Sequence, residues 1–593
     1  MEKHTFHIPV MGIGYTADSP LKVAPYGIDS VISLVDDILL EKLRKYYTQL
    51  NNLKYTEITD KTIDYRAIRI TAYLNLVHDL VQEKINKLKN VTTLKCHTLA
   101  DYINHLPTPS YLKQQLQNSK NVAEVQQLIR ENLYQGAIDV NIMTKVDKTN
   151  YENREVLPIE FNDAHAALRG FANSKLNSSV VFSAGMNPRL YNYLATLEGF
   201  FPDDFGNFPK KIILKVSDYR SAIIQGKYLA KKGLWVSEYR VESGLNCGGH
   251  AFATDGFLMG PVLEEFKENR EQLYNDTYEL FSNALRSKNK EVSLNKPVLK
   301  ISAQGGVGTA EEHQFLLETY QLDSIGWGSP FLLVPEATTV DDNTLQQLAT
   351  AKEKDVYLSN ISPLGVRFNN LIGNTKDEKK QENILKNRPG SACPKRHVAL
   401  NQEFKKEGLC IASREYQYLK IKQLQENESL SPIQLNKEIN KVTEKSCICV
   451  GLGTSALLAY GISTKIEGTG VSVCPGPNIA YFDKKVSLLE MMNHIYGKKN
   501  LLQNTQRPHL FVKELNLYLN YLDEQLELAK EDLTLQQNKY LNRFTENLQK
   551  GIVYYQQIFQ DQFNNLFQSA TLNRLKAQFE ELKKIQQLQL QEI

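Results

Sequence analysis

A segment that begins as an apolar-alternating strand at Val236 stops at Cys247-Gly248-Gly249-His250. Glycines lack a Cβ and let the backbone approach a flat ligand. A histidine there can take or give a proton near neutrality. His250 is therefore the candidate catalytic group, and Cys247 beside it is either a buried filler or a reactive thiol. A second set is Gly305-Gly306-Val307-Gly308-Thr309 and Gly328-Ser329. Their backbone N–H groups are unobstructed, and a helix starting near Thr309 would add its positive end, which is the chemistry of phosphate binding. A third set is Cys393, Cys410, Cys447, Cys449 and Cys474, five of the seven cysteines. Clustered thiols suggest a metal or iron–sulfur site. The intervening 16, 36, 1 and 24 residues contain no CxxC and fit neither a zinc ribbon nor a ferredoxin. Inert buried cysteines and a metal-binding set both remain open. Gly451-Leu-Gly-Thr-Ser reads as a glycine-rich turn opening an apolar helix, without the full dinucleotide fingerprint.

The elements that would position these groups recur along the first 345 residues. Strand patterns run through Phe6 to Met11, Ile28 to Leu34, Ile138 to Met143, Ser179 to Ser183, Lys211 to Val216, the segment from Val236, Val298 to Ser302, and Ser324 onward. Helical spacing separates most of them, at Tyr219 to Lys231, Gly260 to Leu285 and Ala310 to Tyr320. A longer helical block, residues 36–135, stands as an insertion, broken by Pro107 and Pro109. Eight strands alternating with helices predict an α/β fold, a (β/α)₈ barrel whose functional loops follow the C-terminal strand ends. Gly12, Asn141, Gly185, Asn187, Gly249, Gly305, Gly306, Gly328 and Ser329 all fall at those ends.

Formal net charge is +3 with no long basic tract, so nucleic acid is not an expected partner. No run of about 18 uninterrupted apolar residues occurs, so no membrane span is expected. The start lacks the apolar core of a signal peptide, and a cytoplasmic protein with reduced thiols is expected. The predicted organisation is barrel start at 1–35, helical insertion at 36–135, the rest of the barrel at 136–345, a cysteine-containing region at 346–505 and a C-terminal helical hairpin or coiled coil at 506–593. In the last block Val512, Leu515, Leu519, Leu522 and Leu526 alternate gaps of three and four, with Gly551 as a break. Its apolar seam serves either packing on the chain's own barrel or homo-oligomerisation.

The ordered motifs resemble the FMN-dependent barrel family of nitronate monooxygenases (2-nitropropane dioxygenases) and FMN-dependent enoyl-acyl-carrier-protein reductases. Pro9-Val-Met-Gly-Ile13 is similar to the first strand and flavin loop, and Asp139-Val-Asn-Ile-Met143 to the third strand with its flavin-contacting asparagine. Ser183-Ala-Gly-Met-Asn-Pro188 is similar to the fourth, and Glu242 through His250 to the Glu-Ala-Gly-Gly-His motif, here with Ser243-Gly-Leu-Asn-Cys247 intervening. Ala303-Gln-Gly-Gly-Val307 and Gly326-Trp-Gly-Ser-Pro-Phe331 are similar to the two phosphate loops. The resemblance implies an FMN-dependent oxidoreductase, nearest to nitronate monooxygenase, with His250 beside the flavin and a small anionic or acyl-thioester substrate. The alternatives are an enoyl-thioester reductase fed by NAD(P)H, an enzyme combining FMN with an iron–sulfur cluster, and, in a different class, a non-catalytic helical assembly protein.

Overall fold

The computed structural model describes residues 3–183, 185–247, 254–502, 506–531 and 533–591. Eight parallel strands close into a barrel in chain order: β1 Phe6–Ile8, β2 Asp29–Ser33, β3 Ile138–Ile142, β4 Ser178–Phe182, β5 Lys210–Val216, β6 Val236–Glu242, β7 Lys300–Gln304 and β8 Ser324–Gly326. The ring shuts where β1 pairs with both β2 (His7 with Asp29) and β8 (Phe6 with Ile325). This is the predicted (β/α)₈ architecture, with a mostly helical C-terminal extension. The last strand is shorter than its apolar run suggests, because Ser329–Leu333 turns into a 3₁₀ segment after Gly328.

Strand side chains alternate between lumen and helices. Outward residues such as Ile8, Ile32, Val140, Phe182, Leu214 and Ile301 join the main core. Inside, Val31, Val181 and Ile213 form one small apolar layer. Toward the strand starts the lumen is ionic: Arg240 pairs with Glu238 at 2.8 Å and Ser302 donates to the same carboxylate at 2.5 Å. A cavity of about 670 Å³ opens at that end, lined by Lys3, Asp29, Asp139, Lys211 and Lys300 among others.

Helices Asp37–Leu50 and Tyr65–Lys89 belong to the main core and serve as the crossover from β2 to β3. The part beyond has a core of its own, in which Leu88 from the end of the second helix joins Leu99, Tyr102, Leu112, Leu116, Val125 and Ile129.

The C-terminal half packs into the same core as the barrel. It opens with a hairpin the sequence did not announce, Val356–Ser359 against Phe368–Leu371; Asn369 and Asn370 argue against a strand by propensity. Its helix Ile448–Ala459 contains Gly451 and Gly453 in its interior, where a glycine-rich turn was expected. The reason is close packing. A Cβ on Gly451 would stand 2.3 Å from Ser472 Oγ, and one on Gly14 would stand 3.1 Å from the Cα of Gly453. Residues 432–459 pass the length and hydropathy test for a membrane span, but the stretch covers two helices and 72% of its apolar window is buried in the fold.

The tail forms helices Leu510–Glu531, Leu535–Phe559 and Ser569–Gln591. The second runs straight through Gly551, the expected break. A Cβ there would meet Leu258 at 2.6 Å, so the glycine marks a close approach to the barrel instead. Tyr555 accepts the Gly260 N–H at 3.2 Å and Phe511 stacks on Tyr555 at 4.7 Å, so the tail's apolar seam lies on the chain's own barrel.

Gly451→Val should overpack the seam between this helix and residue 472, at a cost of about 1–3 kcal/mol. Denaturant unfolding checks it; an unchanged midpoint would mean the two segments do not touch this closely.

Candidate functional site

The C-terminal ends of the strands carry a polar layer. Lys215 on β5 lies 3.0 Å from Glu242 on β6, and the same Glu242 oxygen accepts Gln304 Nε2 and Asn246 Nδ2, each at 2.6 Å. Gln304 Oε1 is buried and lies against the His7 imidazole, out of alignment for a full hydrogen bond. Asn141 on β3 is buried and donates to the Val181 carbonyl at 3.0 Å. Lys215 and Asn246 were not singled out from sequence. The available signal was a lysine inside the apolar run Ile212-Ile-Leu-Lys-Val216.

The loops after β7 and β8 are shaped by glycine. Gly305 and Gly306 hold φ of 111° and 87°, a region that side chains with a Cβ avoid. Gly328 needs to be bare because a Cβ would come within 3.0 Å of Cys247 Cβ. The helix Ala310–Tyr320 follows, capped by Thr309. Arg507, nearly buried, reaches this cradle from the C-terminal region. It donates to Gly306 O at 2.6 Å, to Asn478 Oδ1 at 2.9 Å and to Glu312 at 2.6 Å, while Asn478 Nδ2 donates to Val307 O at 2.7 Å. Each peptide unit is planar and trans, so its N–H points away from its carbonyl. Arg507 and Asn478 thus hold two carbonyls back and turn the Val307 and Gly308 N–H groups the other way. The Gly308 N–H goes to Glu312 at 2.9 Å. Those of Gly306, Val307, Gly328 and Ser329 find no acceptor among the described residues. Unpaired backbone donors are rare in folded chains, and these four lie in two adjoining loops.

The other predicted residues fall out as follows. Gly12 (φ 57°) sits in the loop after β1, against Tyr15 and Leu452. Gly185 (φ 114°) follows β4, over Lys145. Asn187 spends its amide on structure: Oδ1 caps the helix Pro188–Leu194 at Leu190 N, and Nδ2 donates to Thr144 O at 3.0 Å. Gly249 and His250 lie outside the described residues. Cys247 is buried and its thiol donates to the Cys474 carbonyl at 3.2 Å; burial and the neighbouring Cys474 push its pKa well up, so the thiol is kept protonated. Cys474 therefore stands at the barrel mouth. Cys393, Cys410, Cys447 and Cys449 lie together elsewhere.

Glu514, from the first tail helix, is buried between the two ends of the segment that carries His250. Its Oε2 accepts the Met259 N–H at 2.9 Å, and Ser243 and the Gly244 N–H lie near the same carboxyl. Oε1 has no aligned donor among the described residues. Burial raises its pKa to about 7, against the partial pull of those donors.

No family model and no curated protein matches this chain. Among solved structures, FabK from Thermotoga maritima is similar at 12% identity and a TM-score of 0.34, over 83% of this chain and 93% of that one. The enoyl reductase domain of MlnA from the macrolactin biosynthesis cluster of Bacillus amyloliquefaciens is similar at 14% and 0.32, over 69% and 88%. Nitroalkane oxidase from Streptomyces ansochromogenes is similar at 9% and 0.31, over 83% and 96%. The barrel stands on its own strand order, independently of these likenesses.

The Glu514 carboxyl generates a pH prediction. In the unfolded chain it ionises near its ordinary 4.5, and in the fold it keeps its proton to about 7. Stability should therefore fall as pH rises across that window, by roughly 3 kcal/mol from this group. Glu514→Gln should flatten that slope in denaturant unfolding between about pH 5 and pH 8; an unchanged slope would show the carboxyl is not held neutral.

Proposed function

We propose that this chain is an FMN-dependent oxidoreductase of the nitronate monooxygenase-like kind, acting on a small anionic or acyl substrate. The observation that carries the reading is the set of four N–H groups, at Gly306, Val307, Gly328 and Ser329, without an acceptor among the described residues, beside a helix N-terminus and at the mouth of a parallel barrel. Their chemistry fits the phosphate of FMN. Gly12, Asn141, Gly185 and Gly249 would line the ring, with Gly305 completing the phosphate loop and Asn187 holding the Gly185 loop in place. When bound, the flavin supplies the electron acceptor that no side chain provides.

The rest of the reaction falls to the chain. Lys215 brings a cation to the polar layer under the ring position. Glu242 fixes Lys215 and Gln304 through shared hydrogen bonds. His250 would take a carbon-bound proton from the substrate or orient an anionic one. Arg507 and Asn478 act on the loop carbonyls and so aim the N–H groups, without touching the phosphate themselves.

Turnover decides the chemistry. The purified chain given a primary nitronate in air, without nicotinamide, should consume oxygen and release nitrite. His250→Ala should lower kcat by about 10²–10⁴-fold while the bound flavin keeps its spectrum. Anaerobic bleaching by NAD(P)H, reversed by an enoyl thioester, would reassign the chain as a reductase, and no turnover with either substrate would overturn the proposal.

A further inference from the structure

Four of the cysteines come from three separate stretches of chain, and the backbone is built to bring those stretches together. Ser391 bridges to Ser413 and Asn401 to Leu409, so the 391–413 loop folds back on itself and sets Cys393 beside Cys410. Gln417, fully buried, then ties this loop to the next stretch: its Nε2 donates to Val442 O at 2.9 Å and, more loosely, to Ile411 O and Lys445 O at 3.4 and 3.3 Å. Two residues on, Cys447 stands at the N-cap position of the helix Ile448–Ala459 and Cys449 lies in its first turn. The thiols meet accordingly. Cys393 faces Cys410 and Cys447, and Cys447 faces Cys449. All four are buried, and none is in a disulfide.

We propose that Cys393, Cys410, Cys447 and Cys449 are the ligands of a thiolate-bound metal centre, zinc or iron–sulfur, held between the 391–413 loop and the start of the helix Ile448–Ala459.

Three features favour this over inert filler. Cys393 has a left-handed backbone, φ 54°, as does Arg396 three residues on. For residues with a Cβ that conformation costs of order 1–3 kcal/mol and persists where the surroundings demand it. The surroundings suit anionic sulfur: a helix N-terminus adjoins Cys447 and Cys449, and the buried Lys376 ammonium lies near Cys447. Four cysteines are also the complete ligand set of a structural zinc site or of an iron–sulfur cluster. Among the described residues no three His, Cys, Asp or Glu side chains already stand in a metal-holding arrangement, so the four thiols would close in on binding. Cys474 is excluded by position, since it lies at Cys247.

Anaerobic purification of the full chain, followed by zinc, iron and acid-labile sulfide analysis, tests this. The expected result is stoichiometric metal: zinc alone, colourless and chelator-labile, or iron with sulfide and an absorption bleached by dithionite. Cys410→Ser and Cys447→Ser should each lower metal retention by about tenfold or more, with Cys474→Ser unchanged. Substoichiometric metal in the unmodified chain, with the four thiols free to alkylation after unfolding, would overturn the centre. So would equal metal loss in Cys474→Ser. Flavin content is read separately, so a failure here is distinct from a failure of the FMN reading.

Discussion

The N–H of Gly14 donates to the carbonyl of Leu452 at 2.9 Å, and the rest of the structure depends on that contact. It joins the first loop of the barrel to a helix more than 400 residues later, backbone to backbone. Glycine at 14 eases it, because a Cβ there would stand 3.1 Å from the Gly453 Cα. Once the helix is seated, the segment after it follows the barrel mouth. Ser472 O accepts Tyr15 Oη at 2.7 Å, Cys474 O accepts the Cys247 thiol, and Asn478 and Arg507 take the carbonyls of the seventh loop. The C-terminal half is thus part of the mouth, and the loops after β7 and β8 are shaped from both sides.

The buried charges follow the same logic. Arg507 and Glu312 pair at 2.6 Å with almost no exposure, and Lys395 bridges Asp36 and Glu467 at 2.6 and 3.0 Å. A buried pair contributes little net stability, but removing one partner strands the other at a cost of about 3–5 kcal/mol. Such pairs fix where one part of a chain docks on another. Asp36 follows β2 directly and also caps the helix Asp37–Leu50, so one carboxylate anchors a crossover helix and the C-terminal cover together.

The barrel was legible from the sequence because its strands are short apolar runs ending in glycine or asparagine, which is how the C-terminal face of such a fold must look. The helix Ala310–Tyr320 was placed to the residue. What sequence misjudged was glycine in helices. Gly451 and Gly551 signal close approach to another segment, a tertiary fact, and read locally as breaks. The hairpin at 356–371 was hidden by asparagines whose polar groups are met only in the fold, as Asn370 is by Asp377. The cysteines were visible as a candidate metal set of five, but not which four come together, since that runs through Gln417, a residue with no motif around it. Lys215 and Arg507 share that limit: each matters through a partner far along the chain.

If the two late loops, aimed by the C-terminal cover, hold a flavin at the barrel mouth, the freshly purified full chain should carry one FMN, read from its visible absorption and from the cofactor released on denaturation. A colourless chain that neither takes up added FMN nor gains thermal stability from it would show that the loops hold no flavin.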